Sequence, residues 1–137
     1  MKQVVTKRLP GKKSTSSVPL PQCSVIATLK LFATKWKPCI ICYLSDKPLR
    51  YNELYRIIPN ISRKMLSEHL KEMEADAIIV RRVYDKKMQR VEYSLSPKGI
   101  SLLPLLEQLQ NWGLSNIKNV LSIQEMLAVT DIYRHNY

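Results

Sequence analysis

The chain has 137 residues, 45% of them hydrophobic, which suffices for one domain with an ordinary core and no disulfide bracing. Lysine and arginine total 22 against 11 acidic residues; the resulting net charge of +11 calls for an anionic partner, whether nucleic acid, an acidic membrane surface or an acidic protein. Lys30, Lys35, Lys37 and Asp46 interrupt the most apolar stretch, so no run reaches the roughly 18 residues that suggest a membrane span. Residues 1–17 have no signal-peptide core, and three cysteines do not make a disulfide framework. A cytoplasmic protein without a membrane partner is expected.

Residues 1–21 carry Lys2, Lys7, Arg8, Lys12 and Lys13 with prolines, serines and no acid. They read as a basic, flexible N-terminal arm, either a solubilising tail or an auxiliary DNA contact. From Ser24, Val25, Ile26, Leu29, Phe32 and Ala33 fall on one helical face, predicting a first helix with that face buried. Thr34 is placed to cap a second, with Pro38 in its first turn, where backbone N–H groups have no internal partner. Trp36, Ile40, Tyr43 and Leu44 give that helix its period, and Cys39, Ile41 and Cys42 fill much of its remaining circumference, so it is expected at the centre of the core.

After Asp46-Lys47-Pro48 there is room only for a short strand at residues 49–51. Asn52 is expected to cap a compact helix with Leu54, Ile57 and Ile58 on one face, ended by Pro59. Asn60 suits a left-handed turn position, Ser62 a second cap, and Ile61 with Leu66 a hydrophobic staple. The new helix is expected to bury Leu66, Leu70, Met73 and Ala77, with Met65 and His69 beside them. Two short helices joined by a tight turn are the outline of a helix-turn-helix.

The period then changes. Residues 78–84 are β-branched and mixed, and Val91, Tyr93 and Leu95 alternate with Glu92 and Ser94, predicting two strands around the polar connection 85–89. Ser96 followed by Pro97 opens a long helix over 97–119, lined by Ile100, Leu103, Leu106, Leu109, Trp112 and Ile117. Leu102 and Leu105 carry its apolar surface beyond one face, as expected of a helix that packs on more than its own domain. Residues 123–133 are amphipathic enough for one more short helix.

The second helix of the motif presents Arg63, Lys64, Ser67 and Lys71 opposite its core row. In helix-turn-helix proteins the N-terminal part of this helix enters the major groove, where arginine and lysine suit guanine edges and serine can serve several bases. Lys86, Lys87 and Arg90 lie at the tip and base of the hairpin, with Arg81 and Arg82 on its first strand, placed for phosphate or minor-groove contact. Cys39-Ile40-Ile41-Cys42 invites a zinc or thioredoxin-like reading. No second pair or nearby histidine completes a zinc site, and the motif sits inside an apolar helix, so core packing is expected. Neither His69 nor His135 has a catalytic partner pattern, and three glycines leave no phosphate-cradling motif. No enzyme activity, cofactor or metal is expected.

The stretch 23–37, the run Asn60-Ile61-Ser62-Arg63-Lys64-Met65-Leu66 and the run Arg90-Val91-Glu92-Tyr93-Ser94-Leu95-Ser96-Pro97-Lys98-Gly99 resemble the HxlR-type winged-helix regulators, relatives of the MarR group. The likeness covers about residues 23–113. It implies a homodimer built from terminal helices, a recognition helix at 62–76 and a wing at 85–89. Asn60 and Ala77 stand where glycine is common in that family. It also implies a role for Cys23, because members often carry a cysteine just before the first helix that senses oxidants or electrophiles. The positive end of a helix would stabilise a thiolate there, although a small apolar residue docking the helix start is an equally physical use of the position.

The expected fold is therefore α+β, mainly α: a winged helix-turn-helix with a two-stranded β-wing and flanking dimerisation helices. Its expected parts are the arm at 1–21, a DNA-binding domain at 22–121 and a helical extension at 122–137. The expected function is a sequence-specific, dimeric transcriptional regulator, a repressor binding an inverted-repeat operator in double-stranded DNA, with a small reactive effector acting through Cys23. A non-specific architectural DNA binder and a protein-interaction winged helix are the alternatives.

Overall fold

The computed structural model describes residues 22–126 and Ala128; the N-terminal arm, His135 and most of the C-terminal extension lie outside them. The elements run α1 (Ser24–Phe32), α2 (Lys37–Tyr43), β1 (Leu49–Arg50), α3 (Tyr51–Ile57), α4 (Arg63–Ala75), β2 (Ile79–Asp85), β3 (Arg90–Leu95), α5 (Pro97–Ser101) and α6 (Leu103–Asn116). The chain is mainly helical, with a small antiparallel sheet in the order β1-β3-β2.

Ile40 and Ile41 of α2, Leu54 of α3, Leu66, Leu70 and Met73 of α4, and Ile78 form the buried centre. Around α2, Phe32, Leu102 and Leu106 complete the core from α1 and the C-terminal helices. Lys37 is also buried, at 4% exposure, and its Nζ lies 2.6 Å from Glu72 Oε2 of α4. A buried ammonium is tolerated only with such a partner, so the pair ties the two helices in one register. Hydrogen bonding from Lys37, then its charge, holds the Glu72 carboxyl below its usual value. His69 lies buried on the same side of α4, its Nδ1 3.8 Å from Glu72 Oε2.

The structure departs from several of these expectations. The apolar face of α1 is not buried: Val25 is 63% exposed, Ile26 and Leu29 are exposed, and only Phe32 reaches the core. Periodicity predicts an apolar face but not what covers it. Thr34 does accept a hydrogen bond from Lys37 N–H at 3.2 Å, although α2 itself begins at Lys37. Asn52 is not a cap; α3 starts at Tyr51, with Arg50 in the capping position and the Glu53 carboxylate accepting from Arg50 N–H at 3.2 Å. The sheet gains β1 as a third strand, because Leu49 pairs with Tyr93 and Arg50 with Glu92.

The expected long C-terminal helix is two. It breaks at Leu102, where Pro104 has no N–H for the Ile100 carbonyl, and α6 ends at Asn116. Ile100, Leu109, Trp112 and Ile117, expected along one packed face, are exposed. Cys39 and Cys42 are half-buried; Cys42 packs against the core as expected, and Cys39 does not. The 122–137 extension begins as a helical turn: Ser122 and Glu125 form a reciprocal capping box, with Ser122 N–H donating to Glu125 Oε2 at 2.7 Å and Glu125 N–H to Ser122 Oγ at 3.1 Å.

Helix α4 is fixed at both ends. Ser62 Oγ accepts from Met65 N–H at 3.0 Å, and the Ile61–Leu66 staple is buried. At the other end Ile78 N–H donates to Met73 O at 2.9 Å and Ala77 N–H to Glu74 O at 3.0 Å, a Schellman closure with buried Met73 and Ile78 on its two sides. Ala77 is thus exposed, outside the helix and not part of its core row, and it adopts φ 58°, the left-handed conformation that favours glycine. Asn60 takes φ 62° at the other turn, as its residue type allows.

Because a Cβ in the left-handed region carries a steric penalty, Ala77→Gly should stabilise the fold by about 1 kcal/mol, less the entropy cost of glycine in the unfolded chain. Urea unfolding checks it, with a raised midpoint and an unchanged slope.

Candidate nucleic-acid interface

The first turn of α4 carries the exposed pair Arg63 and Lys64. The Arg63 guanidinium lies 4.3 Å from the centroid of the Tyr55 ring, so α3 supports it through a cation–π contact. Lys64 Nζ is 4.0 Å from Glu68, a loose solvent-exposed pairing that leaves the ammonium free to move. Ser62 is exposed, but its hydroxyl oxygen is engaged as the helix cap.

Ser67 is half-buried and donates to Tyr51 Oη at 3.2 Å, while Tyr51 Oη donates to the Arg63 carbonyl at 3.0 Å. Tyr51 at the start of α3 thus braces the first turn of α4. Sequence reading missed it, since a bond across 12 residues leaves no local pattern. Tyr55 under Arg63 escaped for the same reason.

Two grooves meet at Tyr51. One, of about 330 Å³, is lined by Tyr51, Ser67, Lys71, Glu74, Arg81 and Tyr93. The other, of about 820 Å³, runs between the start of α3 and the base of the wing, with Arg50, Arg56, Arg81 and Arg90 among its lining residues. Arg81 lies opposite Tyr93 in the sheet, so both project from the same face. The surface therefore joins Ser67 and Lys71 to Arg90. It also adds Arg50 and Arg56, which the charge pattern of α3 could have suggested.

The wing is held by Asp85, whose Oδ1 accepts from Lys87 N–H at 2.8 Å and Met88 N–H at 3.4 Å. Lys86 and Lys87 project exposed from this turn. Arg90 is 3.3 Å from Glu92, which also stands opposite Arg82. The cations at the wing tip are therefore the freest to meet phosphate.

Cys23 stands apart from this surface, exposed in the N-cap position of α1. The N–H groups of Ile26 and then Val25 hold its thiol below the ordinary value. Burial raises Cys39, and burial with the neighbouring Cys39 pushes Cys42 up to about 11. Among the described residues no group of three or more His, Cys, Asp and Glu side chains could hold a metal ion, and no helix is long and apolar enough to cross a membrane.

Residues 31–120 match the family model of the HxlR-like helix-turn-helix. The chain is 45% identical over 97 residues to the HTH-type transcriptional regulator YtcD of Bacillus subtilis, covering 71% of this chain and 77% of that protein. Among solved structures it is similar to the redox regulator HypR in its reduced form, with TM-score 0.65 and 40% identity over 70% of this chain and 95% of that one. It is similar also to the reduced form of the transcriptional regulator YodB from B. subtilis, with TM-score 0.66 and 32% identity over 74% and 100% of the two chains. The chain therefore belongs to the HxlR-like helix-turn-helix family and is a DNA-binding transcriptional regulator of that type.

Proposed function

We propose that the chain is a homodimeric, sequence-specific repressor, with α4 in the major groove of an inverted-repeat operator and the wing on the adjoining backbone. The observation that carries this reading is the first turn of α4: capped by Ser62, braced by Tyr51 and bearing Arg63 over Tyr55. A guanidinium held against an aromatic ring on a capped helix suits bidentate reading of a guanine edge. Lys64, Ser67 and Lys71 extend the same contact, whereas Lys86, Lys87 and Arg90 act on phosphates. Occlusion of a promoter by the bound dimer accounts for repression.

The dimer reading rests on apolar surface that one chain leaves in water. Val25 and Ile26 of α1, with Leu109 and Trp112 of α6, are exposed, Trp112 at 63%. A groove of about 250 Å³ between the helices is lined by Val25, Leu29, Phe32, Leu105 and Leu109. Exposed apolar patches of this kind mark interaction surfaces. Cys23 lies at the start of α1, so an oxidant or electrophile that modifies it alters the geometry of that surface and hence the spacing of the two recognition helices. The likeness to a redox regulator supports that reading.

Replacing Arg63 with Ala should cost operator binding about 1–3 kcal/mol while sparing random duplex. Equal loss on both would assign Arg63 to phosphate. Lys86→Ala and Lys87→Ala should weaken every sequence alike, each lost phosphate contact removing about 0.9 from the log–log salt slope. A wild-type preference for operator below about 10³ would favour the architectural reading instead.

At neutral pH Cys23 should alkylate faster than Cys39 and Cys42, since its lowered pKa leaves more thiolate and the other two are raised. A mass-spectrometric time course on the native protein measures this. If Cys23→Ser loses operator binding on mild oxidation just as the parent does, Cys23 is not the sensor.

A further inference from the structure

The paired cysteines of α2 have no part in the DNA surface. Cys39 and Cys42 are one helical turn apart, a spacing that puts side chains on the same face. Both are free thiols, half-buried, and both line one small cavity of about 90 Å³. Its remaining lining is Pro38, Tyr43, Leu121, Ile123 and Met126, so a third sulfur-bearing side chain faces the same space.

The position of Met126 follows from local bonds. Ile123 N–H donates to Gln110 Oε1 at 2.5 Å, folding the chain after α6 back toward α2. The Ser122–Glu125 capping box then starts a helical turn, and Met126 N–H donates to Ser122 O at 2.9 Å.

We propose that Cys39, Cys42 and Met126 form a binding site for a soft monovalent metal ion, copper(I), within one chain. Two thiolates and a thioether are the donors that such an ion selects. Zinc asks for four ligands, usually including histidine or further cysteine, and neither histidine nor a carboxylate lines this cavity. Trivalent arsenic condenses with thiols and releases water, and a thioether has no proton to give in that reaction. The binding step is Cu⁺ plus two thiols giving a bis-thiolate copper(I) centre and two protons, with no change of oxidation state; the thioether joins as a neutral ligand. Both thiols are held protonated near neutrality by burial, so proton release is part of the binding equilibrium. Occupancy would fasten the Ser122–Met126 turn onto α2.

The test is an anaerobic titration of the reduced full chain, in a Cys23→Ser background, against a copper(I) chelator whose complex absorbs in the visible. One ion per chain should be withdrawn, and the apparent affinity should rise about 100-fold per pH unit between about pH 6 and 8, as two displaced protons require. Cys39→Ser with Cys42→Ser should abolish the withdrawal. Met126→Leu alters an exposed side chain outside the core and should weaken binding about tenfold with an unchanged thermal midpoint. The proposal is overturned if no copper is taken up, if the double serine variant binds as the parent does, or if half an ion per chain reveals a site shared between copies. It is equally overturned if Met126→Leu binds undiminished, or if zinc is held more tightly than copper.

Discussion

The junction between α4 and the first wing strand is the constraint on which the arrangement depends. At Ala77 and Ile78 the chain must leave a helix through a left-handed residue and enter a strand at once. The run Ser96-Pro97-Lys98-Gly99 locks that corner from the other side of the sheet. Ser96 Oγ reaches the carbonyls of Ala77 at 2.5 Å and Ile78 at 2.9 Å and also accepts from Gly99 N–H at 3.0 Å, capping α5. Lys98 Nζ donates to Asp76 O at 2.8 Å, satisfying a carbonyl at the negative end of α4. Gly99 passes so close to the Ile78 carbonyl that an added Cβ would collide with it. One four-residue run thus holds the corner between α4 and the wing.

With that corner fixed, the remaining contacts decide how precisely the reading surface is held. The Lys37–Glu72 pair binds the middle of α4 to α2, and Tyr51 binds its first turn to α3. The wing, by contrast, is organised mainly by its own turn around Asp85 and carries its lysines in open solvent. On the proposed reading, the helix held by these contacts reads bases, which needs geometry, and the exposed wing lysines meet phosphate, which tolerates motion. Arg50, Arg56 and Arg81 line the groove between them and extend its positive charge inward from the wing.

The parts of this fold legible in the sequence were those determined by neighbours in the chain. Ser62, Ile61 and Leu66 declared the start of α4, Asn60 its preceding turn, and Ser96-Pro97 the start of α5, because caps and staples are local devices. What required distant partners was not legible. The pairing of two residues at Leu49 and Arg50 with β3, the hydroxyl link from Tyr51 to Arg63, and the burial of Lys37 beside Glu72 all join segments that share no local pattern. The exposed face of α1 shows the same limit from the other direction, since its period is helical whether a core or a second chain covers it. Pro104 is a local signal of the break between α5 and α6: a helix can begin near it but not pass through it unbroken.

The proposed two-fold pair of α4 helices on one face of the duplex is tested most directly by hydroxyl-radical and methylation-interference footprints on an operator selected from random duplexes. Two symmetry-related sets of major-groove contacts about 34 Å apart, on one face of the DNA and within inverted repeats, are the expected result. A single unrepeated patch, or protection spread evenly along the duplex, would contradict it.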